Sequence, residues 1–141
     1  MAKTKTLRNG NIKVTFDEDG VDVISEAVPT PPSSKSFTII KALGNIFFFT
    51  KNTDHKQKSN QRDKFTNQVT LEIPLTQDVI NHPAVKAKGL GALKLVYYDK
   101  NQGEWFAFKK QSMDEEAKVG RAQFNDWIKD PPVGWGDPIT T

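Results

Sequence analysis

The chain contains no cysteine, which excludes disulfide bonds and thiolate chemistry. It has only two histidines, His55 and His82, and no cysteine is available to complete a zinc site with them. No apolar run approaches the roughly 18 residues that a membrane helix needs. The sequence therefore predicts a protein with no metal site, no cofactor and no membrane span.

The residue patterns that carry catalysis are also missing. Neither histidine has an identifiable partner for triad chemistry. The stretch GLGAL, residues 89–93, lacks the Gly-Lys-Ser/Thr ending of a phosphate loop. The acidic cluster DEDG, residues 17–20, lacks the ligand spacing of a calcium loop and predicts a solvated turn. We therefore predict no catalytic residues and a non-enzymatic role.

What the chain does contain is typical of one ordered domain with sizeable polar loops. Its 141 residues are long enough for a real core, and 36% of them are hydrophobic while 26% are charged. The first ten residues are basic, but no apolar stretch of signal-peptide length follows them. The expected location is the cytoplasm, although a module taken from a larger surface protein would have the same features.

Alternation of apolar and polar side chains predicts the secondary structure, because a period of two is typical of half-buried strands. Strands are expected at 12–16 and 21–24, which form a hairpin, and at 36–43, 46–50, 65–75, 92–99, 104–110 and 122–129. Gly44-Asn45 is interpreted as a turn. One helical turn is expected from Thr76 to a stop before Pro83, and another within 112–120. We predict an all-β antiparallel sandwich of about seven strands with one or two short helical segments.

Prolines suggest the domain boundaries. The segment AVPTPPSS, residues 27–34, contains three prolines, which donate no hydrogen bond to a sheet. Residues 1–34 are therefore predicted as an N-terminal hairpin or arm with a proline-rich connection, and residues 35–130 as the β-sandwich. The segment DPPVGWGDP predicts an irregular C-terminal tail over residues 131–141.

Residues 65–108 contain the stretches VTLEIPLTQDVI and LGALKLVYYDKNQGEWFAF. This combination resembles a recurring module of bacterial multidomain and surface proteins. Such modules have a strand of type hTh-hP, a short helical turn, and then a hairpin of type L-hhYYD…G-W, where h is hydrophobic. The matching residues are Val69, Leu71, Ile73, Pro74, Leu93, Leu95, Tyr97, Tyr98, Asp99, Gly103 and Trp105. The resemblance implies an immunoglobulin-like sandwich used for linkage or adhesion, with no catalytic motif.

A basic tract follows the three consecutive phenylalanines of residues 47–49. Its basic residues are Lys51, Lys56, Lys58, Arg62 and Lys64. Only Asp54 and Asp63 oppose them, so this tract holds the whole net charge of +3. It is either a solvated loop that keeps the apolar strand soluble, which we favour, or an arm that pairs with nucleic-acid phosphates while nearby rings stack on bases.

Aromatic residues supply the other candidate sites. Trp127 and Trp135 lie in or near the C-terminal segment, where they either cover an open edge of the core or offer a surface to a partner. We predict a binding or assembly module that meets a protein partner, or a second copy, through a strand edge or this segment. The alternatives are nucleic-acid binding through residues 51–64 and carbohydrate binding through Trp105, Tyr98 or Trp127.

Overall fold

The computed structural model describes residues 2–27, 31–50, 64–127 and 131–139. Within them the chain is mostly antiparallel β-structure with two short helices, which confirms the all-β prediction. The strands are β1 (Lys3–Leu7), β2 (Ile12–Phe16), β3 (Val21–Glu26), β4 (Phe37–Thr50), β5 (Lys64–Pro74), β6 (Lys94–Asp99), β7 (Glu104–Ala107), β8 (Lys110–Asp114), β9 (Val119–Asp126) and β10 (Pro132–Pro138). The helices are α1 (Gln77–Ile80) and α2 (Pro83–Lys88).

The strands form two five-stranded sheets. The first sheet has the order β1-β2-β5-β9-β8, and the second has the order β3-β4-β10-β6-β7. The consecutive strands β1–β2, β3–β4, β6–β7 and β8–β9 pair within one sheet, whereas the connections after β2, β4, β5, β7 and β9 cross to the other sheet. The expected pairing of 12–16 with 21–24 is therefore wrong, because the DEDG turn carries the chain from the first sheet to the second.

The two sheets share one hydrophobic core. Alternate side chains of both sheets point into it, as the period of two requires. Phe48 of β4 lies at its centre, with ring centroids 6.2 Å from Phe16 and 4.8 Å from Phe65 of the first sheet. Burying one such side chain contributes roughly 1.5–3 kcal/mol, so the sheets are held together chiefly by these facing rings and aliphatic groups.

The N-terminal residues are part of this core and not a separate arm. Strands β1 and β2 extend the first sheet, and β3 pairs with β4 in the second. Ile12, Val14 and Val23 are completely buried. Because these three strands complete both sheets, the predicted boundary at residue 34 does not separate two structural units.

Residues 37–50 form one long strand, although a turn was expected at Gly44-Asn45. A Cβ on Gly44 would lie 2.8 Å from the carbonyl oxygen of Glu26. Glycine is needed there because the end of β3 approaches the backbone closely, and not because the chain reverses.

The C-terminal segment is also a strand and not an irregular tail. Strand β10 lies between β4 and β6, in the middle of the second sheet. Pro132 and Pro138 are its first and last residues, where a missing N–H is tolerated. Gly134 lies at a register shift, and a Cβ there would lie 2.3 Å from the carbonyl oxygen of Lys41. The prolines and glycines therefore fit a central strand that lies unusually close to its neighbour.

The helical predictions are partly confirmed. Helix α1 begins after Thr76, but the Thr76 hydroxyl donates to Asp78 and does not cap the helix backbone. Pro83 begins a second helix, α2, whose first turn is capped by His82 Nδ1 accepting from the N–H of Ala84. Neither helix in the described part of the chain is long and apolar enough to cross a membrane.

The helix expected within 112–120 is absent, because β8 and β9 form a hairpin there. The Asp114 carboxylate accepts the N–H of Ala117 and closes the turn between them. Local side-chain acceptors of this kind compete with helix formation. With β1, β8 and β10, the described residues contain ten strands where about seven were expected.

Candidate functional site

A cleft of about 480 Å³ opens beside the C-terminal end of β9. It is lined by Gln68, Tyr97, Phe108, Lys109, Lys110, Gln123, Phe124, Asn125, Asp126 and Trp127. These residues come from β5, β6, the β7–β8 connection, the start of β8, and β9 with the residue after it. The cleft is thus formed where both sheets contribute side chains.

The cleft exists because β9 continues past its neighbour. Strand β8 begins at Lys110, which lies opposite Gln123, while β9 runs on to Asp126. The residues that precede Lys110 do not extend β8, because they connect it to β7 in the second sheet. Among the described residues, therefore, no strand pairs with 124–126 on the side of β8.

The other side of β9 is irregular as well. Lys64 of β5 pairs with Asp126 and Val69 pairs with Phe124, so the four residues 65–68 lie opposite Asn125 alone. This bulge carries Gln68 to the rim of the cleft. The Asn125 amide donates to the carbonyl oxygen of Phe65 at 3.3 Å and fastens the bulge to β9.

Stacked aromatic rings form the floor of the cleft. The rings of Phe124 and Trp127 have centroids 4.5 Å apart at an interplanar angle of 24°. The ring centroid of Phe108 lies 6.0 Å from that of Phe124 and 6.0 Å from that of Trp127. Its ring is nearly parallel to that of Trp127, with an interplanar angle of 12°. Trp127 is fixed by its indole N–H, which donates to the carbonyl oxygen of Ile46 at 3.2 Å. Phe124 is only half-buried, so this floor presents apolar surface to the cleft.

The rim of the cleft is polar and slightly basic. Lys109 and Lys110 are exposed against the single carboxylate of Asp126, which gives the lining a formal charge of +1. Burial, and to a lesser extent the charge of Asp99, raises the pKa of Tyr97 above its ordinary value, so this phenol stays protonated at neutral pH. The cleft therefore combines an apolar floor with hydrogen-bonding groups and a weak attraction for anions.

Lining of this kind is suited to binding. It contains no histidine, serine or other side chain paired as a nucleophile with a base. In the part of the chain that the structure describes, no group of three or more His, Asp or Glu residues is arranged to hold a metal ion. Amide groups beside an open strand are suited to hydrogen bonds with another backbone, and the rings to apolar side chains.

The structure brings together only part of the predicted site. Lys51, Lys56, Lys58 and Arg62 lie outside the described residues. Lys64, the first residue of β5, is exposed and pairs with Asp126, but it does not line the cleft itself. Trp127 forms part of the floor, whereas Trp135 lies in the core beside Gly120 and takes no part in the cleft.

Of the two interpretations of Trp127 and Trp135, burial against the core agrees with the structure and an exposed surface for a partner does not. Trp105 and Trp135 are each 1% exposed, and Trp127 is 5% exposed. The Trp105 indole N–H donates to the carbonyl oxygen of Pro32, as that of Trp127 does to Ile46. Tyr98 is half-buried against Trp105. A sugar platform requires an exposed ring face, which the two tryptophans of the carbohydrate alternative, Trp105 and Trp127, do not offer.

Sequence reasoning missed most residues of the cleft. Tyr97, Phe108 and Phe124 were interpreted only as strand residues, and Gln68 and Gln123 were not singled out. Phe124 and Trp127 lie three residues apart in the stretch AQFNDWIK, whose poor alternation was the one available signal of an irregular strand end. Comparisons with models of protein families, with curated proteins and with solved structures found no match for this chain.

Proposed function

We propose that this protein is a non-enzymatic binding module whose cleft takes an extended segment of a partner protein. The observation that carries the proposal is the open edge of β9 at 124–126, which lines the same cleft as the stacked rings of Phe124 and Trp127. We also propose an immunoglobulin-like type of sandwich, which is supported by two antiparallel sheets around one core.

Backbone pairing supplies the first part of the interaction. Three residues of open strand extend about 10 Å at roughly 3.3 Å per residue, which accommodates a short stretch of a partner chain. A segment lying there continues the line of β8 and pairs with β9, as in other cases of strand addition. Because backbone pairing is independent of sequence, it supplies affinity without selecting the partner.

Side chains supply the selectivity. The floor formed by Phe124 and Trp127 favours an aromatic or large aliphatic side chain, and an aromatic pair adds roughly 0.5–1.5 kcal/mol beyond the area that it buries. Lys109 and Lys110 favour acidic residues beside that side chain. The expected ligand is therefore an extended peptide in which one apolar anchor is flanked by Asp or Glu.

A library of short peptides displayed against the full chain tests this proposal. Enriched peptides should carry an apolar anchor beside acidic residues, and should shift the fluorescence of Trp127. Lys109→Glu should lower the affinity for the tightest-binding peptide by about 3- to 10-fold at low salt. A surface ion pair contributes about 0.2–1 kcal/mol, and reversing the charge of residue 109 adds repulsion. Lys86→Glu, on exposed α2, is the matched control and should leave the affinity unchanged.

Phe124→Leu, which keeps an apolar side chain, should weaken binding by about 2- to 10-fold through loss of ring contact. A library without enriched peptides, or peptides that bind all variants equally, would contradict the proposal. The basic rim beside half-buried rings also fits single-stranded nucleic acid. If an oligothymidylate binds with affinity that falls steeply with salt and no peptide is enriched, the partner is nucleic acid instead.

A further inference from the structure

The outer face of the second sheet carries a second aromatic site, away from the shared core. Tyr98 of β6 and Trp105 of β7 are cross-strand neighbours, with ring centroids 5.6 Å apart. Trp105 is 1% exposed although it lies outside the main hydrophobic cluster. Residues 31–36, from the proline-rich connection between β3 and β4, contact this hairpin.

Three hydrogen bonds hold this connection on the hairpin. The Trp105 indole N–H donates to the carbonyl oxygen of Pro32 at 2.9 Å. The Glu104 carboxylate accepts from the Ser34 hydroxyl at 2.6 Å and from the N–H of Lys35 at 2.9 Å. The Ser34 hydrogen bond, followed by that from the N–H of Trp105, also lowers the pKa of Glu104, so the carboxylate stays ionised at neutral pH.

These contacts use the chemistry by which proteins recognise proline-rich segments. Proline offers no N–H, so its carbonyl oxygen is the group that a receptor contacts, and an indole N–H is a suitable donor. Aromatic pairs form the grooves that receive extended proline-rich peptides, whose stiffness limits the entropy lost on binding. Glu104 adds selectivity for a hydroxyl placed two residues after the second proline.

The connection itself is lightly held. Pro31, Ser33, Lys35 and Ser36 are exposed, while Pro32 and Ser34 are half-buried. It also belongs to neither sheet, so its release breaks no strand pair, although it does break the hydrogen bond from the N–H of Ile139 to the carbonyl oxygen of Ser36 at 2.9 Å. Segments with few buried contacts open at lower free energy than the core around them.

We propose that Tyr98, Glu104 and Trp105 form a receptor for proline-rich segments, which the chain's own residues 31–36 occupy and which a proline-rich segment of a partner protein takes when they leave. This site is distinct from the cleft. Tyr97 and Tyr98 are consecutive strand residues and point to opposite faces of the sheet, so the two sites lie back to back.

A peptide with the sequence of residues 31–36, PPSSKS with blocked ends, tests the proposal on the full chain. In the wild-type protein the tethered segment competes at an effective concentration on the order of mM. The double variant Pro32→Gly/Ser34→Ala weakens the tethered segment and leaves the receptor intact. The peptide should therefore bind this variant at least about tenfold more tightly than the wild type, with a shift of the Trp105 indole N–H resonance.

Two controls identify the contacts. Adding Trp105→Phe to the double variant removes the indole donor. The affinity for the peptide should then fall by about tenfold, because a partly buried carbonyl oxygen loses its hydrogen-bond donor. The peptide AASSKS, which lacks both prolines, should not compete with PPSSKS. If circular dichroism finds the double variant unfolded, the single variant Ser34→Ala replaces it in the same comparison.

Equal binding to the wild type and the double variant, or binding unaffected by Trp105→Phe, would overturn the proposal. So would the absence of any shift of the Trp105 resonance at millimolar peptide. Analytical ultracentrifugation measures the oligomeric state of the double variant. If this variant dimerises and no longer binds the peptide, the receptor is occupied by a second copy of this chain, and the assignment to a partner protein is overturned.

Discussion

Gly120→Ala should destabilise the protein through a single steric contact. Gly120 lies in β9, where its Cα faces the buried indole of Trp135. A Cβ there would lie 2.3 Å from the indole Cη2 atom and 3.0 Å from Cζ3. Since carbon atoms pack at about 3.5–4.0 Å, the indole would have to move away by more than about 1 Å.

The magnitude follows from two opposing effects. Forcing an extra methyl group into a well-packed core costs about 1–3 kcal/mol, and a rigid ring that must move so far places this site in the upper part of that range. Replacing glycine by alanine within a strand recovers about 0.5–1 kcal/mol of backbone entropy. The expected net loss in the free energy of unfolding is therefore about 1–2.5 kcal/mol.

Urea unfolding followed by circular dichroism measures this loss. Gly91→Ala is the matched control, because a Cβ on Gly91 has no atom within 4 Å. The free energy of unfolding of this variant should lie within about 0.5 kcal/mol of the wild-type value. In the background of Trp135→Phe, whose smaller ring leaves room, Gly120→Ala should cost at least about 1 kcal/mol less than in the wild type.

A Gly120→Ala variant as stable as the wild type would refute this reasoning. An equal cost in the presence and absence of the Trp135 indole would also refute it, because the effect would then arise elsewhere than in the contact between β9 and β10.

Two further predictions concern polar contacts. Gln111→Ala should lower the free energy of unfolding, measured with urea, by about 1–3 kcal/mol. The reason is that the Gln111 amide exchanges hydrogen bonds of 2.8 and 3.0 Å with the backbone N–H and C=O of buried Leu95. Unchanged hydrogen-exchange protection of Leu95 in the variant would contradict this expectation. Hydrogen bonds from Thr76 and then Lys41 lower the pKa of Asp78 from 3.8 to about 2. Because the folded pKa is the lower one, this stabilisation is present above about pH 4 and is lost as the pH falls towards 2. In an NMR titration Lys41→Ala should move the pKa back towards 3.8, and a wild-type value already near 3.8 would contradict the assignment.

The β6–β7 hairpin could be predicted because its signals are local and agree with one another. Alternation and aromatic residues predict two strands, and residues 100–103 predict the turn between them. The structure pairs Tyr98 with Trp105, which confirms the cross-strand aromatic contact. Nothing beyond the hairpin is needed to determine this register.

Glycine and proline misled the sequence analysis wherever their role depends on a distant strand. Gly44 suggested a turn, and Gly134 an irregular tail, because glycine is common in both settings. In each case the glycine lies within a strand, where the backbone of β3 or β4 leaves no space for a Cβ. That information is held in the neighbouring strand and is not visible in the local sequence.

The cleft could not be predicted because it arises from two strand registers at once. Its open edge requires that β8 begin opposite Gln123, and its rim requires that residues 65–68 bulge opposite Asn125. Neither register is encoded by the alternation of a single strand. Trp127 was the one predicted site residue that lines the cleft, and it does so as part of a buried stack and not as an exposed ring.

Both proposed binding sites depend on the hairpin that was easiest to predict. Tyr97 lines the cleft on the inner face of β6, and Tyr98 lies on the outer face against Trp105, whose indole donates to Pro32 of the proline-rich segment. The hairpin is rigid because β10 pairs with it along one side and Gln111 occupies the backbone groups of Leu95 at its end. A rigid support holds side chains in place on both of its faces, so a ligand at one site has no structural reason to disturb the other. Binding at the cleft and binding at the outer face should therefore be independent, unless a ligand displaces the hairpin itself.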